Sequence, residues 1–408
     1  LKSWVMKSNY KKLGQFIQQV SIKNSDLRVD NLLGVSITKE FIKSIANTIG
    51  TDMTTYKIVK KNQFTYGSIT SRNGDKISIA LLQEDEAIVS TSYTVFEVID
   101  INELLPEYLM MWFRRPEFDR YARYMSHGST REAFGWEEMC DVELPVPTLE
   151  KQKEIIKEYH TITDRIKLNE QLNQKLEDTA QSIYKEWFVN FEFPDENGKP
   201  YKSNGGEMVY CEELEMEIPK GWIFVPYTDL FDLKGGGTPS TEISEYWNGN
   251  IPFFTPKDIS ESVYSINTEK NITQLGFRKS STKIYQKNTV FITARGTVGS
   301  VAMASKDMAM NQSCYASIGK EVNQFFTYFH TLKALDILIN HANGGVFGAL
   351  VTKDFEQCKV IYPDSEIILK FGKIIEKLFN LILLKQKENY KMYELKEVLL
   401  SKIATIEG

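Results

Sequence analysis

Two stretches of the chain repeat a pattern typical of a long amphipathic helix. Apolar residues recur at alternating spacings of three and four from about Leu149 to Val189 and from about Ser365 to Ala404. Neither stretch contains a proline that would interrupt a helix. At about 1.5 Å per residue, roughly 40 residues predict a rod near 60 Å long. The sequence therefore predicts two long helices of matched length.

The two helical stretches also share a register. An offset of 216 residues takes Ile155 to Phe371 and continues without a slip to the polar midpoint, where Asn173 matches Asn389. Polar residues at core positions weaken a coiled coil but fix its register and partner. This favours a parallel or antiparallel coiled coil, with two independent amphipathic helices as the alternative. The predicted seam consists of Ile155, Ile162, Ile166, Asn173, Leu176, Ile183, Phe371, Leu378, Ile382, Asn389, Met392 and Leu399.

The segments before the two helices look related to each other. Thr70–Ala80 resembles Thr293–Ala302, and this aligns Arg72 with Arg295 at a strand-turn-strand site. Both segments alternate short β-rich runs with turn clusters and a few helices, which predicts an α+β fold for each. The predicted organisation is a first domain (1–147), a first helix (148–192), a linker (193–218), a second domain (219–363) and a second helix (364–408).

Composition limits the kind of protein. The 408 residues are 42% hydrophobic and 25% charged, as in globular proteins, and carry a net charge of -5. That charge gives no long-range attraction to nucleic acid or anionic membranes, so a polyanion would have to bind local basic surface. The sequence has no membrane-length apolar run and no signal-peptide pattern. We expect a soluble cytoplasmic protein without a membrane partner.

Candidate catalytic chemistry is scarce. The four cysteines form no CxxC pair, and the four histidines show no HxxxH or HExxH spacing, so neither a disulfide framework nor a metal site is predicted. The glycine-rich run Lys234–Ser240 lacks the spacing of a phosphate-binding loop and is interpreted as a flexible turn. Pro252–Pro256 is interpreted as aromatic core. The chain contains no NPPY or DPPY tetrapeptide of an adenine methyltransferase. We predict no catalytic residues and no enzyme activity for this chain alone.

Basic residues are concentrated in parts of both domains. Residues 1–61 hold eleven Lys or Arg against four Asp or Glu, and residues 257–306 hold eight against three. Such clusters favour contacts with phosphates, and an arginine at a turn can also reach a guanine edge. For Arg72 and Arg295, a base or phosphate contact and a turn-stabilising role remain open alternatives. The candidate DNA-binding residues are Lys57, Lys60, Lys61, Arg72, Lys76, Lys257, Arg278, Lys279, Lys283 and Arg295.

Several motifs together resemble the specificity subunits of Type I restriction-modification systems. Leu144–Glu154 (LPVPTLEKQKE) is similar to the family's junction between domain and helix, and Ser182–Pro194 (SIYKEWFVNFEFP) to its central region. Gly236–Ser240 (GGTPS) with Tyr246–Asp258 looks like the opening of a recognition domain, and Glu394–Ala404 like the closing helix. The second junction departs from this pattern, because the residues after Ile361 lack the PxPxxxEQ-like run of the first.

This resemblance implies two target-recognition domains in tandem, each reading one half of a bipartite, asymmetric DNA site. The helices would form an antiparallel coiled coil that sets the spacer between the half-sites. The implied partners are double-stranded DNA, two methyltransferase subunits and the restriction (translocase) subunits. No cofactor is expected on this chain. S-adenosylmethionine would belong to the methyltransferase, and ATP and Mg to the restriction subunit. The alternative is a solitary two-headed DNA-binding regulator without methyltransferase partners.

Overall fold

The computed structural model describes residues 10–44, 50–71, 73–74, 76–128, 132–260, 262–341 and 348–406, without the side chain of His341. These residues form two compact units. The first unit contains the chain up to Ile166 together with the residues from Lys391 onward, and the second unit is Lys167–Tyr390. The α+β fold predicted from the sequence is confirmed, with tandem domains and two long helices that pack together.

Within its described residues, the first domain combines short strands with three α-helices. Its strands are β1 (Tyr10–Lys12), β2 (Ile17–Val20), β3 (Ile22–Lys23), β4 (Leu33–Val35), β5 (Phe41–Lys43), β6 (Lys57–Lys60), β7 (Phe64–Gly67), β8 (Ile79–Leu81), β9 (Glu86–Val89), β10 (Tyr93–Val98) and β11 (Glu143–Pro145). Its helices are α1 (Pro106–Phe113), α2 (Pro116–Tyr124) and α3 (Trp136–Cys140), followed by the long helix α4 (Leu149–Phe188).

The second domain has a similar mixture of elements. Its strands are β12 (Met208–Cys211), β13 (Met216–Pro219), β14 (Ile223–Pro226), β15 (Phe231–Gly235), β16 (Trp247–Phe254), β17 (Tyr264–Ser265), β18 (Lys270–Ile272), β19 (Ile284–Tyr285), β20 (Val290–Thr293), β21 (Val301–Ala304), β22 (Met308–Met310), β23 (Cys314–Gly319) and β24 (Lys359–Tyr362). Its helices are α5 (Tyr227–Leu230), α6 (Gln274–Arg278), α7 (Gln324–His341) and α8 (Thr352–Gln357), and the long helix α9 (Ser365–Lys402) follows.

The two domains share one sheet topology. In the first domain an antiparallel sheet has the strand order β2-β10-β7-β8, and in the second the order is β15-β23-β20-β21, with β17 added in parallel at the edge. Each domain is also closed by a two-stranded antiparallel pair, β1 with β11 and β14 with β24. The same chain path thus occurs twice, as expected for a tandem duplication.

Apolar and aromatic side chains fill both domain cores. In the first domain Phe64 stacks on Phe96 at a centroid distance of 4.8 Å, and Phe113 meets both rings edge-on. In the second domain Phe253 and Phe254 are almost fully buried, which confirms the aromatic-core interpretation of Pro252–Pro256. Offset and edge-to-face pairs of this kind contribute about 0.5–1.5 kcal/mol each beyond their buried area. None of the described helices is long and apolar enough to cross a membrane.

The long helices pack against each other in an antiparallel sense within each unit. In the first unit Ile155 and Tyr159, near the start of α4, share a core with Leu400 of α9 and with Ile403 just beyond it. In the second unit Trp187, at the end of α4, lies 5.8 Å by ring centroid from Phe371, near the start of α9. Each unit therefore contains the beginning of one helix and the end of the other.

The predicted seam positions lie on the packed faces of these helices. The polar midpoint is in the second unit, where Nδ2 of Asn169 donates to Oδ1 of Asn389 at 2.8 Å and both residues are buried. Oδ1 of Asn173 is buried without a hydrogen-bond partner among the described residues. The buried seam residues are Ile155, Ile162, Ile166, Asn173, Phe371, Ile382 and Asn389, and the half-buried ones are Leu176, Ile183, Leu378, Met392 and Leu399.

A buried glutamine joins the first domain to its helix. The side chain of Gln152 on α4 accepts from the amide of Leu105 at 2.8 Å and donates to the carbonyl oxygens of Glu103 and Pro147, both at 2.9 Å. Gln152 is fully buried. Because these bonds connect α4 to the segment before α1, they fix the angle at which the helix leaves the domain.

An amide side chain also joins the second domain to its helix, but here the amide belongs to the domain and not to the helix. Asn323, just before α7, donates from Nδ2 to the carbonyl oxygen of Ile368 on α9 at 2.9 Å, and its Oδ1 accepts from the amide of Phe326. A Cβ on Gly372 would lie 2.4 Å from Asn323 Nδ2, so this glycine makes room for the amide. The altered sequence after Ile361 therefore accompanies a different junction, in which the domain supplies the amide to the helix.

The segment between α4 and the second domain has structure of its own. Phe193 stacks on Trp222 with ring centroids 4.9 Å apart and on Tyr201 at 4.6 Å. Further along, β12 and β13 form an antiparallel hairpin. The region predicted as a linker is thus anchored to the core of the second unit through its aromatic residues.

Candidate nucleic-acid interface

The second domain brings two connections together at one end of its five-stranded sheet. β20 ends at Thr293, which pairs with Cys314 at the start of β23. Just beyond, the amides of Ala294 and Arg295 both donate to the carbonyl oxygen of Ser313, at 2.9 and 3.2 Å. The loop that carries Arg295 therefore lies against the turn between β22 and β23.

The glycine-rich segment after β15 completes this end of the sheet. A Cβ on Gly236 would lie 2.2 Å from the carbonyl oxygen of Asn311, and one on Gly237 would lie 2.2 Å from Oγ of Ser281. Glycine permits such close backbone approaches because it has no side chain. The interpretation of this run as a flexible turn is wrong. The segment is closely packed and joins three connections into one surface.

The predicted cations of the second domain lie on or near this surface. Lys257 follows β16, whose last residue, Phe254, accepts the amide of Asn311 at 3.0 Å. Lys283 precedes β19, which pairs with β22. Lys257 Nζ also lies 4.0 Å from a carboxylate oxygen of Glu269, at the outer limit of an ion pair. All five predicted side chains are exposed: Lys257, Arg278, Lys279, Lys283 and Arg295.

In the first domain, the loop after β7 is equivalent to the loop that carries Arg295, and hydrogen bonds anchor it at both ends. Thr70 Oγ1 donates to Oγ of Ser126, which follows α2, and the amide of Ile77 donates to a carboxylate oxygen of Asp119 on α2 at 3.1 Å. Between these anchors the described residue Lys76 is exposed. Arg72 lies outside the described residues. The helix α2 therefore determines where this loop is presented.

A buried ion pair supports that helix. Lys39, in the turn between β4 and β5, places Nζ 2.8 Å from Oδ1 of Asp119, and its side chain is only 6% exposed. Nζ also donates to the carbonyl oxygen of Phe113 at the end of α1. Burial lowers the pKa of Lys39, and the hydrogen bond and charge of Asp119 oppose that shift. Asp119, on α2, thus connects the loop after β7 to the end of α1 and to the turn between β4 and β5.

The predicted lysines of β6 do not gather at one place. Lys57 Nζ donates to the carbonyl oxygen of Tyr93 at 2.6 Å, near the turn between β9 and β10. Lys60, three residues further along the strand, pairs in register with Glu86 at the opposite end of β9, and Lys61 follows it. At about 3.3 Å per residue, Lys60 is roughly 10 Å from Lys57 along the strand. A run of basic residues in the sequence therefore becomes two separate sites.

Two uncharged residues at the end of the second sheet were not predicted from the sequence. Thr238, directly after the glycines, donates a hydrogen bond to Oε1 of the exposed residue Gln312. The only local signal was the turn sequence Asn311–Ser313, because Asn and Ser favour turns. Only the pairing of β15 with β23 brings the two residues together, and that pairing spans a large sequence separation.

Burial shifts the pKa of two titratable groups of the second unit toward their neutral forms. Burial lowers the pKa of His330 to about 3, and it raises the pKa of the Cys314 thiol to about 12. At neutral pH His330 is therefore uncharged and Cys314 is protonated. No group of three or more His, Cys, Asp or Glu in the described part of the chain could hold a metal ion.

Comparison with known proteins places this architecture in one family. The family model for the Type I restriction modification DNA specificity domain matches residues 11–178 and again residues 219–392. The HindI specificity subunit of a Type I restriction enzyme from Haemophilus influenzae is 26% identical, over 85% of this chain and 86% of that protein. The MjaIX specificity subunit of Methanocaldococcus jannaschii is 33% identical, over 42% of this chain and 41% of that protein.

The fold has a counterpart among solved structures. The S subunit of a Type I restriction-modification system from M. genitalium superimposes with a TM-score of 0.61 at 14% identity, covering 99% of this chain and 98% of that one. At this identity the likeness concerns the fold alone. The two matches of the family model, one to each domain and its helix, coincide with the repeated sheet topology. The chain belongs to the family of Type I restriction modification DNA specificity domains.

Proposed function

We propose that this chain reads a bipartite, asymmetric DNA site as the specificity subunit of a Type I restriction-modification complex. Each domain would bind one half-site, and the paired helices would set the unread spacer. The observation that carries the proposal is the repeated sheet end. In both domains a loop after the third strand of the shared order lies beside a short turn and carries an exposed cation, Lys76 in the first domain and Arg295 in the second. Two similar surfaces with different side chains suit two different half-sites.

The chemistry of the second surface supports binding to duplex DNA. Arg278, Lys279 and Lys283 are exposed cations that can neutralise phosphates, and Arg295 extends from the turn beside them. Asp258, the carboxylate next to Lys257, accepts hydrogen bonds from the amides of Thr255 and Glu269, both at 2.7 Å. Its carboxylate oxygens are therefore bound by backbone amides of the domain, and the exposed cations of the surface supply the positive charge that a polyanion would bind.

The same proposal gives the long helices a protein partner. On α9, Ile374 and Leu381 are seven residues apart and so share one side of the helix, and Leu384 lies next to them. All three side chains are more than a third exposed. We propose that methyltransferase subunits, which would carry S-adenosylmethionine, cover such apolar positions, and that restriction subunits with ATP and Mg join them. Leu381→Glu should then reduce co-purification of the methyltransferase subunit, whereas Glu366→Lys, at an exposed position of the same helix, should not.

The central experiment is methylation mapping. The full chain is co-expressed with its cognate methyltransferase subunit in a host without adenine methylation, and N6-methyladenine is mapped across the genome. The methyltransferase alone is the control. A split motif that requires this chain would support the proposal and reveal both half-sites and the spacer. A stable complex without any motif would contradict it. Tight sequence-specific DNA binding without a complex would favour the solitary two-headed regulator.

A variant connects the map to the predicted surface. Arg295→Ala is expected to weaken recognition of one half-site and leave the other unchanged, because the two domains would read separate halves. Lys333→Ala removes an exposed cation from α7 of the same domain and serves as the matched control. Unchanged discrimination at both half-sites in Arg295→Ala would remove this residue from the interface and leave the turn-stabilising role.

A further inference from the structure

Two turns occupy equivalent places in the two matching sheets. Residues 90–92 connect β9 to β10, and residues 311–313 connect β22 to β23. In each turn the residue after the connection donates its amide back to the first turn residue, Tyr93 to Ser90 at 3.1 Å and Cys314 to Asn311 at 3.4 Å. Each turn therefore has two central residues, and Thr91 and Gln312 are the first of them in the first and the second domain.

The first side chain of each turn strengthens it in the same way. Oδ1 of Asn311 accepts the amide of Ser313 at 3.0 Å, and Oγ of Ser90 accepts the amide of Ser92 at 3.4 Å. The first central residues, Thr91 and Gln312, are both exposed. Of the second central residues, Ser313 is half-buried, and Ser92 is exposed but donates its hydroxyl to Oγ of Ser90 at 3.2 Å. A rigid turn that presents an exposed polar side chain is suited to contact a ligand at a fixed position, because little conformational entropy remains to be lost on binding.

Hydrogen bonding around Gln312 determines which donors and acceptors of its side-chain amide remain available to a ligand. Thr238 donates its hydroxyl hydrogen to Oε1 of Gln312, which leaves the NH2 group and one oxygen lone pair for a ligand. The carbonyl of Ser313, the next residue, accepts the amide of Arg295 at 3.2 Å. The side chain of Gln312 therefore projects from the same sheet end as the arginine loop, and Thr238 fixes its orientation.

We propose that Gln312 and Thr91 are equivalent specificity-determining residues, each contacting a base edge in the major groove of its own half-site. This inference rests on the proposed function. The NH2 group of Gln312 would donate to N7 of a purine, and its remaining lone pair would accept from N6 of adenine. The hydroxyl of Thr91 hydrogen-bonds base edges less selectively, and its methyl group suits the thymine methyl. The same position thus carries different chemistry in the two domains.

Thr238 has a separate role in this proposal. It acts as a positioning residue, since it holds the amide oxygen of Gln312. Thr238→Ala would free the amide to rotate and lower discrimination at the base pair that Gln312 reads. Thr238→Ser keeps the hydroxyl and should restore that discrimination. A purely structural role of Thr238 would instead change stability without a selective effect on one base pair.

The test is to map methylation by the full chain with its cognate methyltransferase subunit. Gln312→Ala is expected to relax one base-pair position of one half-site by about 5- to 150-fold, and Thr91→Ala to relax one position of the other half-site. The matched control is Gln286→Ala. Gln286 is exposed in the turn between β19 and β20, and this turn precedes β20, at the opposite end of the strand from Arg295. Thermal unfolding of each variant verifies that the fold is retained.

The outcomes separate this inference from the proposed function. If the unaltered chain directs no split motif, the proposed function fails and the inference fails with it. If the motif is present but Gln312→Ala leaves every position unchanged, only the inference is overturned. Equal weakening at all positions would also overturn it, since that is the signature of a phosphate contact. Relaxation of the same half-site by both Gln312→Ala and Thr91→Ala would contradict the assignment of one turn to each half-site.

Discussion

Replacing Gln152 with alanine should destabilise the first unit selectively. The side chain is fully buried and makes three hydrogen bonds of 2.8–2.9 Å to Leu105, Glu103 and Pro147. A typical hydrogen bond contributes about 1 kcal/mol, and a buried group left without its partner costs about 1–3 kcal/mol. Three bonds therefore predict a loss of about 3 kcal/mol in the free energy of unfolding of this unit.

The appropriate assay follows unfolding locally, because a chain with two compact units need not unfold in one step. Hydrogen exchange of peptides from α1 in increasing urea reports on the first unit, and peptides from β20 and β23 report on the second. Gln174→Ala is the matched control. This residue lies on the same helix but is exposed, and its amide bonds to Asp178 one turn away. Since alanine favours helix formation, the control should change stability by no more than about 0.5 kcal/mol.

Two results would refute this reasoning. One is a loss of less than about 1 kcal/mol in the α1 peptides of Gln152→Ala, which would mean that water or a relaxed backbone replaces the lost bonds. The other is an equal loss in the peptides of the second unit. That result would mean that the glutamine stabilises the chain as a whole rather than the junction.

Three further predictions concern the second unit. Because burial lowers the pKa of His330 to about 3, well below the value of about 6.5 in an unfolded chain, the unfolded state binds the proton more readily. Stability should therefore be complete above pH 6.5 and fall by about 2 kcal/mol at pH 5, and denaturant titrations of His330→Phe should lack this loss. Asn169→Leu should cost about 1–3 kcal/mol because Asn389 loses its buried donor, whereas changing both residues to leucine should cost less than the sum of the single changes in a double-mutant cycle. Gly236→Ala places Cβ 2.2 Å from a carbonyl oxygen and should cost about 1–3 kcal/mol in thermal or urea unfolding, whereas Gly235→Ala, with open space around its Cβ, should cost much less.

The long helices could be predicted from local patterns. The predicted stretches from Leu149 and Ser365 begin at the residues where α4 and α9 begin, since a helix depends on spacing within a few turns of the chain. The antiparallel sense was not available from the same pattern. Asn169 and Asn389 are equally compatible with either direction until the partner of each residue is known, and only the family resemblance favoured the antiparallel pair.

The interface was less accessible from the sequence than the helices. The cations of the second domain could be recognised as a cluster because they are close along the chain and are carried by connections that meet. The lysines of β6 could not be sorted, because only the pairing of Lys60 with Glu86 shows which end of the sheet it occupies. Gly236 was misinterpreted for a related reason. The backbone that it must approach, at Asn311, is distant in sequence.

The hydroxyl of Tyr10 donates to the carbonyl oxygen of Ala404 at 2.8 Å, so the two ends of the described chain meet in the first unit. A short peptide that joined Tyr10 to Ile406 would close the described part of the chain into a ring, and the ring could then be opened elsewhere. The exposed tip of the β12–β13 hairpin, near Glu213, is a suitable place, because a break there removes few packed contacts. In such a circular permutant the second domain would come first in the chain, and each domain would still be followed by its own helix.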